Sequence, residues 1–311
     1  MLRKVTVAVL LISLVLSGSP QVWAATPLQK LEEVEVSLFG SPKGGALLQR
    51  LNNAEATLFG KPVGTKDPIM VRVEYLSKLV TGSGAAGASL IMKLNAAEWM
   101  IFNDQSMDLP LFDRLENIEK NVYGEPNQGV GVEERINDLV ALVWPGGELN
   151  VEDERLLPGT QVTIRLLSDL DSSTSKEGDI VSYEVVKDVK QDNRLIIPAG
   201  ALGTGQVQKV KKAGPFGQEG QIGIDFGYVR AIDGSRVPVT YQPKATGSGG
   251  IGSGELAAGA SLGGMVLLGP LGLAAGYLVQ GKAQTIPAGT ELTIEVKDAV
   301  TVRALSLLPV Q

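Results

Sequence analysis

Short phrases in the first half of this chain return almost unchanged 63 or 64 positions later. Lys30-Leu31-Glu32-Glu33-Val34-Glu35 returns as Lys93-Leu94-Asn95-Ala96-Ala97-Glu98. Arg50-Leu51-Asn52-Asn53-Ala54-Glu55 returns as Arg114-Leu115-Glu116-Asn117-Ile118-Glu119, and Arg72-Val73-Glu74-Tyr75-Leu76 as Arg135-Ile136-Asn137-Asp138-Leu139. A chain that repeats itself in this way stacks copies of one unit and builds surfaces by repetition.

The repeat core reads basic-Leu-x-x-apolar-Glu-x-x-apolar-aromatic, with copies starting at Lys30, Arg50, Lys93 and Arg114. Its apolar residues follow i, i+3, i+7 spacing, which is one stripe of an α-helix. Leu31, Leu51, Leu94 and Leu115 head the four stripes and are the expected repeat core. Phe39-Gly40, Phe59-Gly60 and Tyr123-Gly124 are each followed by x-Pro, a helix stop built on a left-handed glycine; Phe102-Asn103 offers the usual second choice. Helices this short are marginal alone. They are expected to pair their stripes as two units, about 26–80 and 91–145, within a helical region 25–145, with Gly82–Gly87 as the joint. Glu35, Glu55, Glu98 and Glu119 recur in register and are expected to form helix-surface ion pairs or caps. Repeats of this kind resemble short helical repeats of exported bacterial proteins, which implies packing or protein interaction.

Residues 1–24 read as a signal peptide: Arg3 and Lys4, an apolar run from Val5 to Leu16, then Val22-Trp23-Ala24 before the expected cleavage. The reading therefore places the protein outside the cytoplasm, in the periplasm or outer envelope. The chain has neither cysteine nor histidine, which removes thiol and imidazole chemistry and thiolate or imidazole metal sites. Loss of Arg3 and Lys4 would take the net charge from −6 to −8, which argues against nucleic acid as a partner.

An acidic linker is expected at 146–155, followed by a β-rich domain at 156–311. Leu157-Pro158-Gly159-Thr160 precedes the alternating run 161–166, and Ile286-Pro287-Ala288-Gly289-Thr290 precedes 291–296; Ile197-Pro198-Ala199-Gly200 is a partial copy. Alternation after a Pro-Gly turn marks a strand with one buried face. Further strands are expected at 180–186, 194–197, 221–230 and 236–241, with Asp233-Gly234 as a hairpin turn. The fold class is then α+β: duplicated short helices, then an antiparallel β-barrel or sandwich. Leu157–Thr160, Gly178-Asp179, Asp188-Val189, Leu195–Gly200, Gly205, Asp233-Gly234 and Ile286–Thr290 together resemble the C-terminal β-domain of TrbI-type proteins of type IV secretion and conjugation systems. Helical repeats stand where that family carries a proline-rich linker and an anchor, so the resemblance implies a free-standing exported protein that shares the barrel.

A glycine-rich segment, 245–283, interrupts the β-domain. Leu256 to Val279 carries no charge, and Gly269-Pro270 divides it into arms of about 12 residues. Small residues at three- and four-residue spacing let helices approach closely, so a helical hairpin is expected. Gly259, Gly263, Leu267, Leu268, Leu271, Leu273, Gly276 and Leu278 are its candidate contacts with a membrane or another subunit. Each arm is too short to cross a bilayer core of ~30 Å. The other reading is a loop packed on the barrel. The TrbI-type resemblance also implies a helical insertion at this place, used at the outer membrane.

Other groupings give no chemistry. Asp169–Thr174 lacks the spacing of a calcium loop and reads as a polar turn; Lys209, Lys211 and Lys212 read as a solvated strand end; Gly200, Gly203 and Gly205 are mis-spaced for a dinucleotide. No cofactor, metal site or catalytic dyad is expected. The expected function is a non-enzymatic envelope protein that binds a protein partner or itself, with possible membrane contact; a soluble periplasmic module for a wall polymer or glycan is the alternative.

Overall fold

The computed structural model describes residues 25–82, 87–144, 146–215, 217–241 and 282–308. The expected signal peptide, the centre of the expected joint at 83–86, and most of the glycine-rich segment lie outside these residues. So do all eight of its candidate contacts: Gly259, Gly263, Leu267, Leu268, Leu271, Leu273, Gly276 and Leu278.

The described residues form six helices: α1 (Pro27–Phe39), α2 (Leu47–Phe59), α3 (Ile69–Thr81), α4 (Leu90–Phe102), α5 (Leu111–Tyr123) and α6 (Val132–Val143). Local chemistry sets the ends. Thr26 and Gln29 close a capping box at the start of α1, with Pro27 at its first position. Gly40, Gly60, Gly82 and Gly124 take the left-handed conformation just beyond their helices, and Asn103 does so after α4 at φ 51°. The stripes do not close off as two separate units. Leu31, Leu51, Val73, Leu94, Leu115 and Ile136, one from each helix, share a single buried cluster.

Among the described residues twelve strands follow: β1 (Val151–Leu156), β2 (Gln161–Leu166), β3 (Leu170–Asp171), β4 (Ile180–Val185), β5 (Val189–Gln191), β6 (Arg194–Ile197), β7 (Leu202–Lys211), β8 (Gln221–Arg230), β9 (Arg236–Thr240), β10 (Thr285–Ile286), β11 (Glu291–Val296) and β12 (Val300–Ser306). Six of them close an antiparallel barrel in the order β11-β2-β4-β7-β8-β9, which decides between barrel and sandwich. A second sheet runs β1-β12-β6-β5. The two Pro-Gly turns are reciprocal: the Gly159 N–H donates to the Val296 carbonyl, and the Gly289 N–H to the Leu166 carbonyl. Each copy of the phrase thus closes the end of the other's strand.

The expected linker at 146–155 is a correction. Most of β1 falls in it, paired antiparallel with β12 along six residues. The exposed Glu152 and the partly buried Glu154 both pair with Arg194, so no apolar alternation reveals the strand.

The helical layer packs on the four-stranded sheet and on the β8–β9 turn of the barrel. Met92 and Ala96 of α4, and Val140 of α6, bury against Leu195, Ile232 and Leu305. Because α4 also gives Leu90, Leu94 and Ala97 to the helical core, it is apolar on two faces.

Candidate functional site

Six copies of the repeat line up once the helices are seen, because the basic residues fall at Lys30, Arg50, Arg72, Lys93, Arg114 and Arg135. The copies starting at Arg72 and Arg135 escaped the repeat pattern because Ser77 and Val140 replace its glutamate. The roughly constant spacing of the basic-apolar pair is the signal that finds them.

The glutamates are not on the surface. Glu35, Glu55, Glu98 and Glu119 are each 1% exposed. Each pairs with the arginine of the next helix: Glu35 with Arg50, Glu55 with Arg72, Glu98 with Arg114 and Glu119 with Arg135. In every pair Nε donates to Oε1 at 2.9–3.0 Å and Nη2 donates to Oε2. Oε2 also accepts a backbone N–H eight residues on, from Lys43, Val63, Ser106 or Asn127. The expected surface ion pair fails because a carboxylate that can satisfy both oxygens internally tolerates burial that an unpaired one does not. The hydrogen bonds that Arg50 donates to Glu35 raise the Arg50 pKa, and those that Arg72 donates to Glu55 raise the Arg72 pKa.

The ladder has defined ends. α3 and α6 carry Ser77 and Val140 at the glutamate position and make no onward pair; α1 and α4 carry lysine at the arginine position. Those lysines cross to the third helix of their own triplet, Lys30 to Glu74 and Lys93 to Asn137. Leu31, Leu51, Leu94 and Leu115 lie beneath the ladder with no exposed surface. This arrangement sets which helix lies beside which. It leaves no carboxylate free to move a proton.

The groupings set aside above are equally committed. Asp171 accepts from the Ser173 N–H and hydroxyl and from Thr285, while Asp169 accepts from the Ala288 N–H, so this turn is stapled to β10. Lys209, Lys211 and Lys212 are exposed at the end of β7. The Tyr183 ring covers Gly203, where a Cβ would stand 2.0 Å from Cε2. A Cβ at Gly205 would stand 2.2 Å from the Asp225 carbonyl oxygen, so Gly203 and Gly205 serve packing. Among the described residues no group of acidic side chains is arranged to hold a metal, and no helix is long and apolar enough to cross a membrane.

Two hollows remain. One of about 680 Å³ lies at the turn after α5, lined by Glu119, Tyr123, Glu125, Asn127, Arg135 and Asp138. The other, about 1050 Å³, runs between α1 and α4 on one side and the β8–β9 turn on the other. No protein-family model matches the chain, and no curated protein matches it at a significant level.

Proposed function

We propose that this is a non-enzymatic protein of the exported cell envelope. In this reading the helical repeats and barrel form a rigid body, and the 245–283 insertion contacts a membrane or a second copy. The resemblance to TrbI-type β-domains and the signal-like residues 1–24 motivate the envelope.

One observation carries the reading, the placement of the insertion's two ends. The β8–β9 turn, at Ile232 and Gly234, packs on α4. Ten residues of β8 separate that turn from Gln221, about 33 Å of strand. At this far end the Lys282 carbonyl accepts the Gly220 N–H, and the Gln284 side chain accepts the Ile222 N–H. Tyr241, the last described residue before the insertion, lies just past β9 with its ring 6.1 Å from that of Phe226, midway along β8. The insertion therefore leaves and re-enters the barrel away from the helices. On this reading a membrane or partner held there lies on the side away from α4.

The test compares cells producing the full chain with cells producing a chain whose residues 247–280 are replaced by a short glycine–serine link. The full chain is expected in the membrane fraction, or as a higher oligomer by analytical ultracentrifugation; the shortened chain is expected to be soluble and monomeric. Two soluble monomers would overturn the proposal.

A further inference from the structure

The groove between α1 and the β8–β9 hairpin carries two arginines that no acidic side chain among the described residues neutralises. One wall is α1, with Glu32, Glu33 and the exposed Val36; the other is the β8–β9 hairpin, with Arg230 and Arg236; Ile91 and Met92 of α4 line it between them. Beyond Val36, Ile91 and Arg230 a smaller hollow of about 250 Å³ continues to Leu109 and Pro110.

Three other charged groups face the groove, and the fold uses all of them. Asp233 accepts from the Ser235 and Arg303 N–H groups. Arg303 donates to the Gly87 carbonyl and stands 3.9 Å from Asp153. Arg230 and Arg236 differ. They are directly opposite in the β8–β9 register, where like charges repel. Among the described residues neither has an acidic partner; the Arg236 guanidinium lies 4.5 Å from the centre of the Tyr228 ring, which fixes it without neutralising it. Two adjacent guanidinium groups held without a carboxylate match a ligand carboxylate, which they can grip in bidentate fashion. Across the groove Glu33 has no ion pair among the described residues, and Glu32 stands 3.9 Å from Arg50.

We propose that this groove binds a short extended peptide bearing both a free carboxylate and an amine. Arg230 and Arg236 hold the carboxylate, Glu32 and Glu33 hold the amine, and Val36 and Ile91 pack on the chain between. The groove's volume of about 1050 Å³ is on the scale of small-ligand pockets, ~300–1,000 Å³. A free peptide and a peptide stem on a wall polymer share this chemistry. The site is independent of the 245–283 insertion.

Calorimetric titration of the full chain from residue 25 onward tests it. The probe is a pentapeptide of alanine, glutamate, lysine and two alanines with free termini; wall fragments released by muramidase are a second probe. Arg230→Gln and Arg236→Gln are each expected to weaken pentapeptide binding about tenfold or more, and Glu33→Gln less. Lys209→Gln, on the exposed end of β7, should leave it unchanged. Competition by the wall fragments would identify the wall as the source, and its absence would identify free peptides. Failure of both probes to bind at millimolar concentration overturns the proposal. So does unchanged affinity in the double variant R230Q/R236Q with an unchanged melting temperature.

Discussion

Glu55 and Arg72 meet as a two-pronged ion pair between α2 and α3, Nε to Oε1 at 2.9 Å and Nη2 to Oε2 at 2.6 Å, with both side chains buried. The same pair recurs three more times, always from one helix to the next. A buried pair is costly to dehydrate, and its absence filled by apolar groups can be neutral; breaking one side is what hurts. Glu55→Ala is therefore expected to cost about 3–5 kcal/mol, while the double change Glu55→Leu with Arg72→Leu costs much less. Urea midpoints of the two variants and the parent measure this, and equal losses would refute the account.

The barrel depends on a different kind of pair. The Tyr183 ring lies over Gly203, and its hydroxyl meets the Phe226 and Tyr228 carbonyls at 2.6 and 2.9 Å. Burial pushes the Tyr183 hydroxyl well above its ordinary pKa. Tyr183→Phe leaves those carbonyls without this donor and is expected to cost about 1–3 kcal/mol. Gly203→Ala drives a methyl group into the ring and is expected to cost at least as much, because overpacked cores shift side chains off their rotamers. Thermal melting orders the two variants, and a neutral Gly203→Ala would show that the ring moves freely.

Asn52 and Asn95 occupy the same place in their repeats, and each accepts from the arginine of the following helix, at 2.6 Å. Only Asn95 also donates to the barrel, through Nδ2 to the Ile232 carbonyl at 2.7 Å. One repeat position has thus been turned into the joint between the two layers. Asn95→Ala is expected to destabilise by about 2–3 kcal/mol and Asn52→Ala by about 1 kcal/mol. Hydrogen exchange should show faster opening of the β8–β9 turn in the first variant alone.

Period and turn chemistry made much of this fold legible. Leu31, Leu51, Leu94 and Leu115 announce helix stripes, Phe39-Gly40 and its kin announce their ends, and the Pro-Gly phrases announce β2 and β11. What stayed hidden depends on partners distant in sequence. Glu35 looks like any surface glutamate until Arg50 is seen beside it. β1 looks like a linker because Glu152 and Glu154 are paid for by Arg194, 40 or more residues away in the chain. Arg230 and Arg236 look like ordinary hairpin charges until α1 closes the groove above them.

The turn at Asp171 should make part of the stability pH-dependent. Its carboxylate accepts from the Ser173 hydroxyl, the Thr285 hydroxyl and the Ser173 N–H, in falling order of effect, and these hold its pKa below the ordinary aspartate value. A group depressed in the folded state contributes stability that is full above its unfolded pKa, about 3.9, and is lost as pH falls through the lower folded value. Asp171→Asn keeps the shape and removes the charge. At neutral pH the variant is expected to melt below the parent; at a pH under the folded value of Asp171 the two melting temperatures should converge. The same gap at both pH values would show that the turn is held by shape and not by the carboxylate.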